Sequence, residues 1–326
     1  MRQLQVRPSC CAAGREIVSD KTVRDTKELP SPTNAAKSRE HIRAKMVRLA
    51  GGTFRMGTDA AESFPEDGEG PPRWVTLKPF LISPHAVTNH EFSQFVEQTG
   101  YRTEAERFGW SFVFHMLVSQ ETRRKVTQFP PQTPWWLVVH GANWLHPEGP
   151  DSSLANRSDH PVVHISWNDA AAYCLWAGVR LPTEAEWEFA ARGGLAEATY
   201  PWGNELTPGG EHRCNIWQGE FPIENRADDG YISTAPVQAY QPNGYGLFNM
   251  VGNVWEWCAD WFSADYHRIT SIESPYGSEP TGSRSIRGGS YLCHDSYCNR
   301  YRTAARSKNT PDSSTGNMGF RIAASV

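Results

Sequence analysis

Asn243-Gly-Tyr-Gly-Leu-Phe-Asn-Met-Val-Gly-Asn-Val-Trp-Glu-Trp257 follows neither the 3.6-residue period of a helix nor the strict alternation of a strand. Its glycines and asparagines are turn-formers, and its aromatic and apolar residues need burial. The same texture runs from Gly193 to the C-terminus: short elements, turns and tryptophans, with little helix. The composition of 27 Gly, 23 Pro and 13 Trp in 326 residues agrees, and argues against helical bundles and repeat solenoids. Upstream, the pattern is more regular. Val47–Phe54, interrupted at Gly51-Gly52, and Val75–Ile82 read as strands. Thr88-Asn89 opens a helix that Gly100 ends. Ser166 or Asn168 caps a second helix with Ala171, Cys174 and Leu175 as its inward face, and Thr183-Glu-Ala-Glu186 is the capping box of a third. The sum is one α+β domain with little regular secondary structure and long ordered loops. Such loops are usually functional or held by something.

Residues 1–45 differ from this body. They carry ten Lys/Arg against five Asp/Glu, no Phe, Trp or Tyr, and a Pro-Ser-Pro-Thr-Asn stretch at Pro30–Asn34. Too little apolar surface is present to offset the entropy of ordering, so 1–45 is expected to be a disordered extension and 46–326 the domain. With +5 in the extension and −4 overall, the body carries −9. That acidity argues against a nucleic-acid partner. Apolar runs such as Trp135–Val139 are far shorter than the roughly 18 residues of a membrane helix. Seven cysteines, an odd and unevenly spaced set, make a poor disulfide framework and suggest a reducing compartment, the cytoplasm. Cys10-Cys11 lie in the extension, and Cys174, Cys214 and Cys258 read as structural.

Cys293 and Cys298 stand apart, five positions from each other within Arg287-Gly-Gly-Ser-Tyr-Leu-Cys-His-Asp-Ser-Tyr-Cys-Asn-Arg-Tyr-Arg-Thr-Ala-Ala-Arg306. Two such thiols can be core residues, a disulfide or a soft-metal site. A structural zinc needs four ligands, and beyond His294 none is near. Cu(I) accepts two thiolates. Arg287, Arg300, Arg302 and Arg306 would favour the thiolate form if they approach the pair. Oxygen donors recur in two loops, Asn215 with Asp229 and Asn249 through Glu256. They can serve Ca²⁺, which takes six to eight oxygens, or simply make turns.

The body resembles the formylglycine-generating enzyme, or sulfatase-modifying factor, family. The similarity spans Val47 to Ala324 and is carried by GGTFRMG (51–57), TEAERFGWSFVF (103–114), PWW (134–136), GANWLHPEGPDSS (141–153), HPVVHISWNDA (160–170), RLPTEAEWE (180–188), the 243–257 stretch, SYLCHDSYCNRYR and a final GFR. The SYLCHDSYCNRYR and PWW-to-HPEGPDS blocks are the selective ones. GGTFRMG, RLPTEAEWE, GNVWEW and GFR support only the fold, a C-type-lectin-like variant. The resemblance implies oxidation by O₂ of a cysteine in a Cys-x-Pro-x-Arg motif of an unfolded sulfatase to Cα-formylglycine. It implies Cu(I) on Cys293 and Cys298, with Ser290, Tyr297 and Trp255 around it. It implies one calcium at Asn215, Ile216 (carbonyl), Asp229 and Tyr231 (carbonyl), and a second at Asn249, Gly252, Val254 and Glu256. A groove walled by aromatics near Trp110, Trp135-Trp136 and Trp144 would take the peptide, with the protein acting as a monomer. Secreted members carry two disulfides, whereas here Ile322 stands opposite Cys174, and Ala191 and Thr303 fill the other pair. Rival readings of the same residues are a lectin-like binding module and a copper-free thiol oxidase using the cysteine pair as a redox disulfide.

Overall fold

The computed structural model describes residues 13–15 and 35–326. The stretch Pro30–Asn34 and the pair Cys10-Cys11 lie outside these residues, as does most of the 1–45 extension. Of that extension, Ala13–Arg15 packs on the body, and Ala35–Ala44 forms helix α1. The chain then runs through β1 (Val47–Leu49), β2 (Gly52–Met56), β3 (Arg73–Leu77), β4 (Phe80–Ile82), α2 (Asn89–Thr99), α3 (Glu104–Phe108) and β5 (Trp110–Phe114). It continues with α4 (Gln120–Arg123), β6 (Trp136–His140), α5 (Trp167–Ala177) and α6 (Glu184–Arg192). After 62 residues without a strand or α-helix come β7 (Trp255–Trp261), α7 (Tyr266–Ile269), β8 (Arg284–Arg287), β9 (Arg306–Asn309), β10 (Met318–Gly319) and β11 (Ala323–Ser325). No helix among the described residues is long and apolar enough to cross a membrane.

The strands form four small sheets among the described residues: β1-β4-β11, β10-β7-β8-β9, β2-β3 and β5-β6. Only β7 and β10 pair in parallel. The expected Val75–Ile82 strand is two strands in two sheets, β3 on β2 and β4 between β1 and β11. The break falls at Lys78-Pro79, where proline has no N–H to donate to a ladder. The Gly51-Gly52 interruption likewise separates β1 from β2, because Gly51 holds φ +68° with Leu77 O and Lys78 O too close for any Cβ.

The helices begin where the sequence says they should. Thr88–Glu91, Ser166–Asp169 and Thr183–Glu186 each make both bonds of a capping box, and Gly100, Gly178 and Gly193 end their helices in the left-handed conformation. One expectation for α5 fails: Leu175 is 65 % exposed. The buried face is Ala170, Tyr173, Cys174 and Ala177, the i, i+3, i+4, i+7 stripe, and Leu175 lies one residue, about 100°, past it.

A main aromatic-rich core joins α2, α5, α6, β7 and the C-terminal strands, and contains Trp187, Trp255 and Trp257. A second core, with Trp110, Phe112, Phe114, Trp136, Trp217 and Tyr291, lies beneath the β5-β6 hairpin. The fold also buries a belt of ion pairs. Arg306 makes two bonds to Glu184, Arg192 and Arg287 meet on Glu188, and Arg321 makes two bonds to Glu256. Burial alone would neutralise Glu188, but Arg192, Arg287 and the Gly57 N–H hold its pKa down to about 2.

Candidate active site

The loop after β8 builds the thiol site. Gly288 and Gly289 both hold positive φ, and a Cβ on Gly289 would press on the Arg300–Tyr301 backbone at 3.0 Å. That close approach folds the loop back on itself and brings Cys298 to Cys293. Their sulfurs lie 3.5 Å apart, both fully buried. An S–S bond is about 2.0 Å, so they are adjacent without being bonded to each other. The Ser290 N–H points at the Cys293 sulfur at 3.4 Å, and the Arg300 guanidinium lies 3.6 Å from the Cys298 sulfur. Both contacts favour a thiolate.

Of the four arginines expected near the pair, Arg300 reaches a sulfur, that of Cys298. Arg287 and Arg306 are drawn into the ionic belt by Glu188 and Glu184, and Arg302 makes two bonds to Glu69. Arg300 itself is anchored by Asp67, whose pKa burial raises to about 6 against the pull of Arg300. The acidic loop 62–72 thus clamps the cysteine loop from outside. At its turn, Gly68 (φ +63°) lies so close to the Ala264 carbonyl that no side chain fits.

Ser290 is buried, and its Oγ accepts from Asn317 Nδ2 at 2.9 Å and from the Leu292 N–H at 3.3 Å. Asn317 is held in turn by the Thr315 hydroxyl at 2.6 Å, and its carbonyl accepts from the Trp255 N–H. Sequence reasoning missed Asn317; the one signal was its place two residues before the final GFR. Trp255 is wholly buried in the main core, and its indole N–H has no partner among the described residues. Tyr297 is half-buried, with its ring edge-on to Trp135 at 5.1 Å and stacked on Phe221 at 5.4 Å. Phe221 also meets Trp217 and Phe114, which ties this wall to the second core. Trp144 is buried in the main core against Phe92, and Trp135 packs against both cores.

The expected calcium residues fall into two buried loops. Asn215 and Asn249 each leave a buried amide oxygen without a partner among the described residues. Such an oxygen costs about 1–3 kcal/mol unless something binds it, so both fit a cation ligand. Asp229 accepts the Ile216 and Tyr231 N–H groups, which orients its carboxylate, and the Ile216 carbonyl accepts from the Gln218 amide at 3.2 Å. At the second loop Glu256 is already engaged by Arg321 and by the Trp187 N–H at 2.7 Å. Gly252, at φ +75°, has the Asn215 carbonyl 2.6 Å from where a Cβ would sit, so the two loops touch, while Val254 packs with Ala86 and Val163.

His164 is structural: buried, it bridges Ser111 Oγ and the Pro147 carbonyl, and burial lowers its pKa to about 4. Cys174, Cys214 and Cys258 are buried, and burial pushes each thiol up, away from the reactive thiolate.

This architecture agrees with what comparisons with known proteins find. A domain model described as sulfatase-modifying factor enzyme 1-like matches residues 31–326. A formylglycine-generating enzyme of Thermomonospora curvata is 60% identical over 291 residues, 88% of this chain and 96% of that one. An inactive C-alpha-formylglycine-generating enzyme 2 of Bos taurus is 50% identical, covering 85% of this chain and 87% of its own. Among solved structures, PvdO from Pseudomonas aeruginosa superposes with a TM-score of 0.64 at 26% identity, over 92% of this chain and all of that one. The fold is therefore that of the sulfatase-modifying class, an α+β domain with few regular elements. The chain belongs to the formylglycine-generating enzyme family.

Proposed function

We propose that this chain oxidises a cysteine of an unfolded sulfatase to Cα-formylglycine, with O₂ as acceptor and Cys-x-Pro-x-Arg as the recognised motif. The observation that carries the reading is the buried Cys293–Cys298 pair at 3.5 Å, with an N–H donor on one sulfur and a guanidinium beside the other. Identity alone does not choose, because relatives at 50–60% include one named inactive. Two soft donors side by side fit Cu(I), which would supply the one-electron chemistry toward O₂.

The protein groups position and exclude. Arg300 sets a positive charge against one sulfur, and the Ser290 N–H sets a donor against the other. Asn317 fixes the Ser290 hydroxyl, so its lone pairs and proton face one direction. Tyr297, Trp135 and Phe221 form the apolar side that sheds water where the substrate cysteine enters. Trp255 holds an indole N–H in reserve for a developing negative charge. Two calcium ions on the Asn215 and Asn249 loops would fasten the 62-residue irregular stretch. We place this activity in the cytoplasm, on a monomer, since the buried thiols and the residues opposite Cys174 suit a reducing environment.

A second reading, a copper-free thiol oxidase, is favoured by the same 3.5 Å separation, because a shift of about 1.5 Å would close a disulfide. One experiment separates them. Copper-reconstituted protein and chelated protein are each incubated in air with a Cys-x-Pro-x-Arg peptide, and the aldehyde is sought by mass spectrometry. Aldehyde only with copper supports the proposal. Equal product from chelated protein supports the thiol oxidase, and no product from either defeats both.

A further inference from the structure

Arg15 is the most unusual charge in the molecule. Only 5 % exposed, it lies between Phe108 and Trp110 with its guanidinium carbon 4.1 and 4.0 Å from the ring centroids. Its Nη2 donates to the Trp110 carbonyl and Ser314 Oγ, both at 3.0 Å, and its Nε donates to the Asp312 carbonyl at 2.9 Å. No carboxylate of the described residues pairs with it, and its Nη1 has no partner there. The backbone of the segment is captured too. Asn309 Nδ2 donates to the Ala13 carbonyl at 3.1 Å, and the Arg15 N–H donates to Ser313 Oγ at 2.8 Å. Ala13 is buried in the second core, the cluster against which Trp135 and Phe221 pack beside Tyr297.

Three features make this a peptide site rather than ordinary packing. First, it grips main-chain groups and one arginine. A guanidinium sandwiched by aromatics and carbonyl oxygens is selected by shape, as Arg is and Lys is not. Second, it shares a strip with the thiols. Ser314 holds Arg15, and Asn317, three residues on, holds Ser290, whose N–H meets Cys293. Three residues span at most about 10 Å, and the four from an arginine back to a cysteine at position one span at most about 14 Å. An arginine in this pocket thus lies on the strip that also carries the Ser290–Cys293 contact, and a cysteine four residues earlier has that length of chain with which to approach the sulfur pair. Third, residues 11–15 read Cys-Ala-Ala-Gly-Arg, the substrate motif with alanine in place of proline. Ala13 is at the proline position, in an apolar pocket suited to either residue.

We propose that residues 11–15 are a built-in copy of the substrate motif, and that Ala13–Arg15 occupies the substrate-peptide groove and competes with the client for it. The inference rests on the functional reading above and adds its regulation. Docking is reversible by construction. A buried guanidinium without a paired carboxylate is costly, and burial lowers the Arg15 pKa to about 10. A client peptide needs to displace only a weakly held occupant.

The test uses the full chain, its Arg15→Ala variant and its Ala13→Asp variant, which puts a carboxylate into the apolar pocket. Binding of a dye-labelled, unreactive Ser-x-Pro-x-Arg peptide is followed by fluorescence polarisation, with no metal or turnover required. With the groove occupied about nine-tenths of the time, both variants should bind the peptide about tenfold more tightly. With the Cys-x-Pro-x-Arg peptide, KM should fall by the same factor and kcat should not change. Equal affinity in all three proteins would overturn the proposal. Variants that bind more tightly while no protein makes aldehyde would sustain the groove and sink the oxidase. Aldehyde from all three with identical KM and affinity would do the reverse.

Discussion

The ionic belt and the thiol loop are neighbours in the structure and opposites in their chemistry. In the belt, Glu184, Glu188 and Glu256 face Arg306, Arg287, Arg192 and Arg321 at bonding distance, with protein groups satisfying both carboxylate oxygens. Around the thiols and the irregular stretch, buried donors and acceptors stop short. Asn215 Oδ1, Asn249 Oδ1 and the Trp255 indole N–H have no partner among the described residues, and two sulfurs sit 3.5 Å apart. The belt's carboxylates are saturated, although Arg192 Nη1 and Arg287 Nε have no partner among the described residues, and its chemistry ends in stability. The irregular region keeps polar atoms to spare, and on the proposed reading something that binds would complete its chemistry.

The contrast is broken most sharply at the cysteines. Cys293→Ala and Cys298→Ala should each lower aldehyde formation by roughly 10³-fold or more, as for members of a unit that acts together. Circular dichroism and the thermal midpoint should be nearly unchanged. Unchanged turnover in Cys298→Ala would remove it from the mechanism. In the belt the pattern reverses. Glu188→Gln strands Arg192 and Arg287 in the interior, so urea unfolding should show a loss of about 3–5 kcal/mol. Turnover per folded molecule should hold.

Acid sharpens the same point. Glu188 has a folded pKa of about 2, below its ordinary value of 4.5, so its contribution is complete above pH 4.5. It is lost as pH falls from 4.5 toward 2, a change of about 3 kcal/mol by linkage. The Glu188→Gln protein should lack that part of the acid limb when unfolding is followed from pH 5 to 2. An identical limb in both proteins would place the acid sensitivity elsewhere.

Calcium tests the irregular region more gently. At a concentration about a hundred times its Kd, the ion should add about 2.7 kcal/mol per site, raising the midpoint by several degrees. Chelation should reverse the shift, and Asn215→Ala or Asn249→Ala should each abolish part of it. The smallest effect is expected at Tyr297. Phe keeps the ring packing on Trp135 and Phe221, so Tyr297→Phe should cost tenfold or less in kcat/KM, whereas Tyr297→Ala should cost more.

The two regions also differ in how much the sequence revealed. Helices with local start and stop signals were legible: Thr88–Glu91 and Gly100 are contiguous chemistry, and the structure places both caps there. So were the cysteine pair and the two orphaned asparagines, because each sits in a compact motif. What was not legible depends on long-range partners. Whether Arg300 or Arg287 reaches a thiol is decided by Asp67 and Glu188, more than 90 residues away in sequence. Asn317 acquires its role only when the C-terminal strip folds under Ser290. The division of Val75–Ile82 between two sheets has a local mark in Pro79, but the partner that makes β4 a central strand, β11, comes from the far end of the chain.

The most direct measurement is a copper count. Full-length protein, Cys293→Ala, Cys298→Ala and Glu188→Gln are titrated with Cu(I) against a chromophoric chelator of known affinity. The account predicts one tightly held equivalent in the full-length and Glu188→Gln proteins, and none in either cysteine variant. Retention of that equivalent without Cys293 or Cys298 would contradict it.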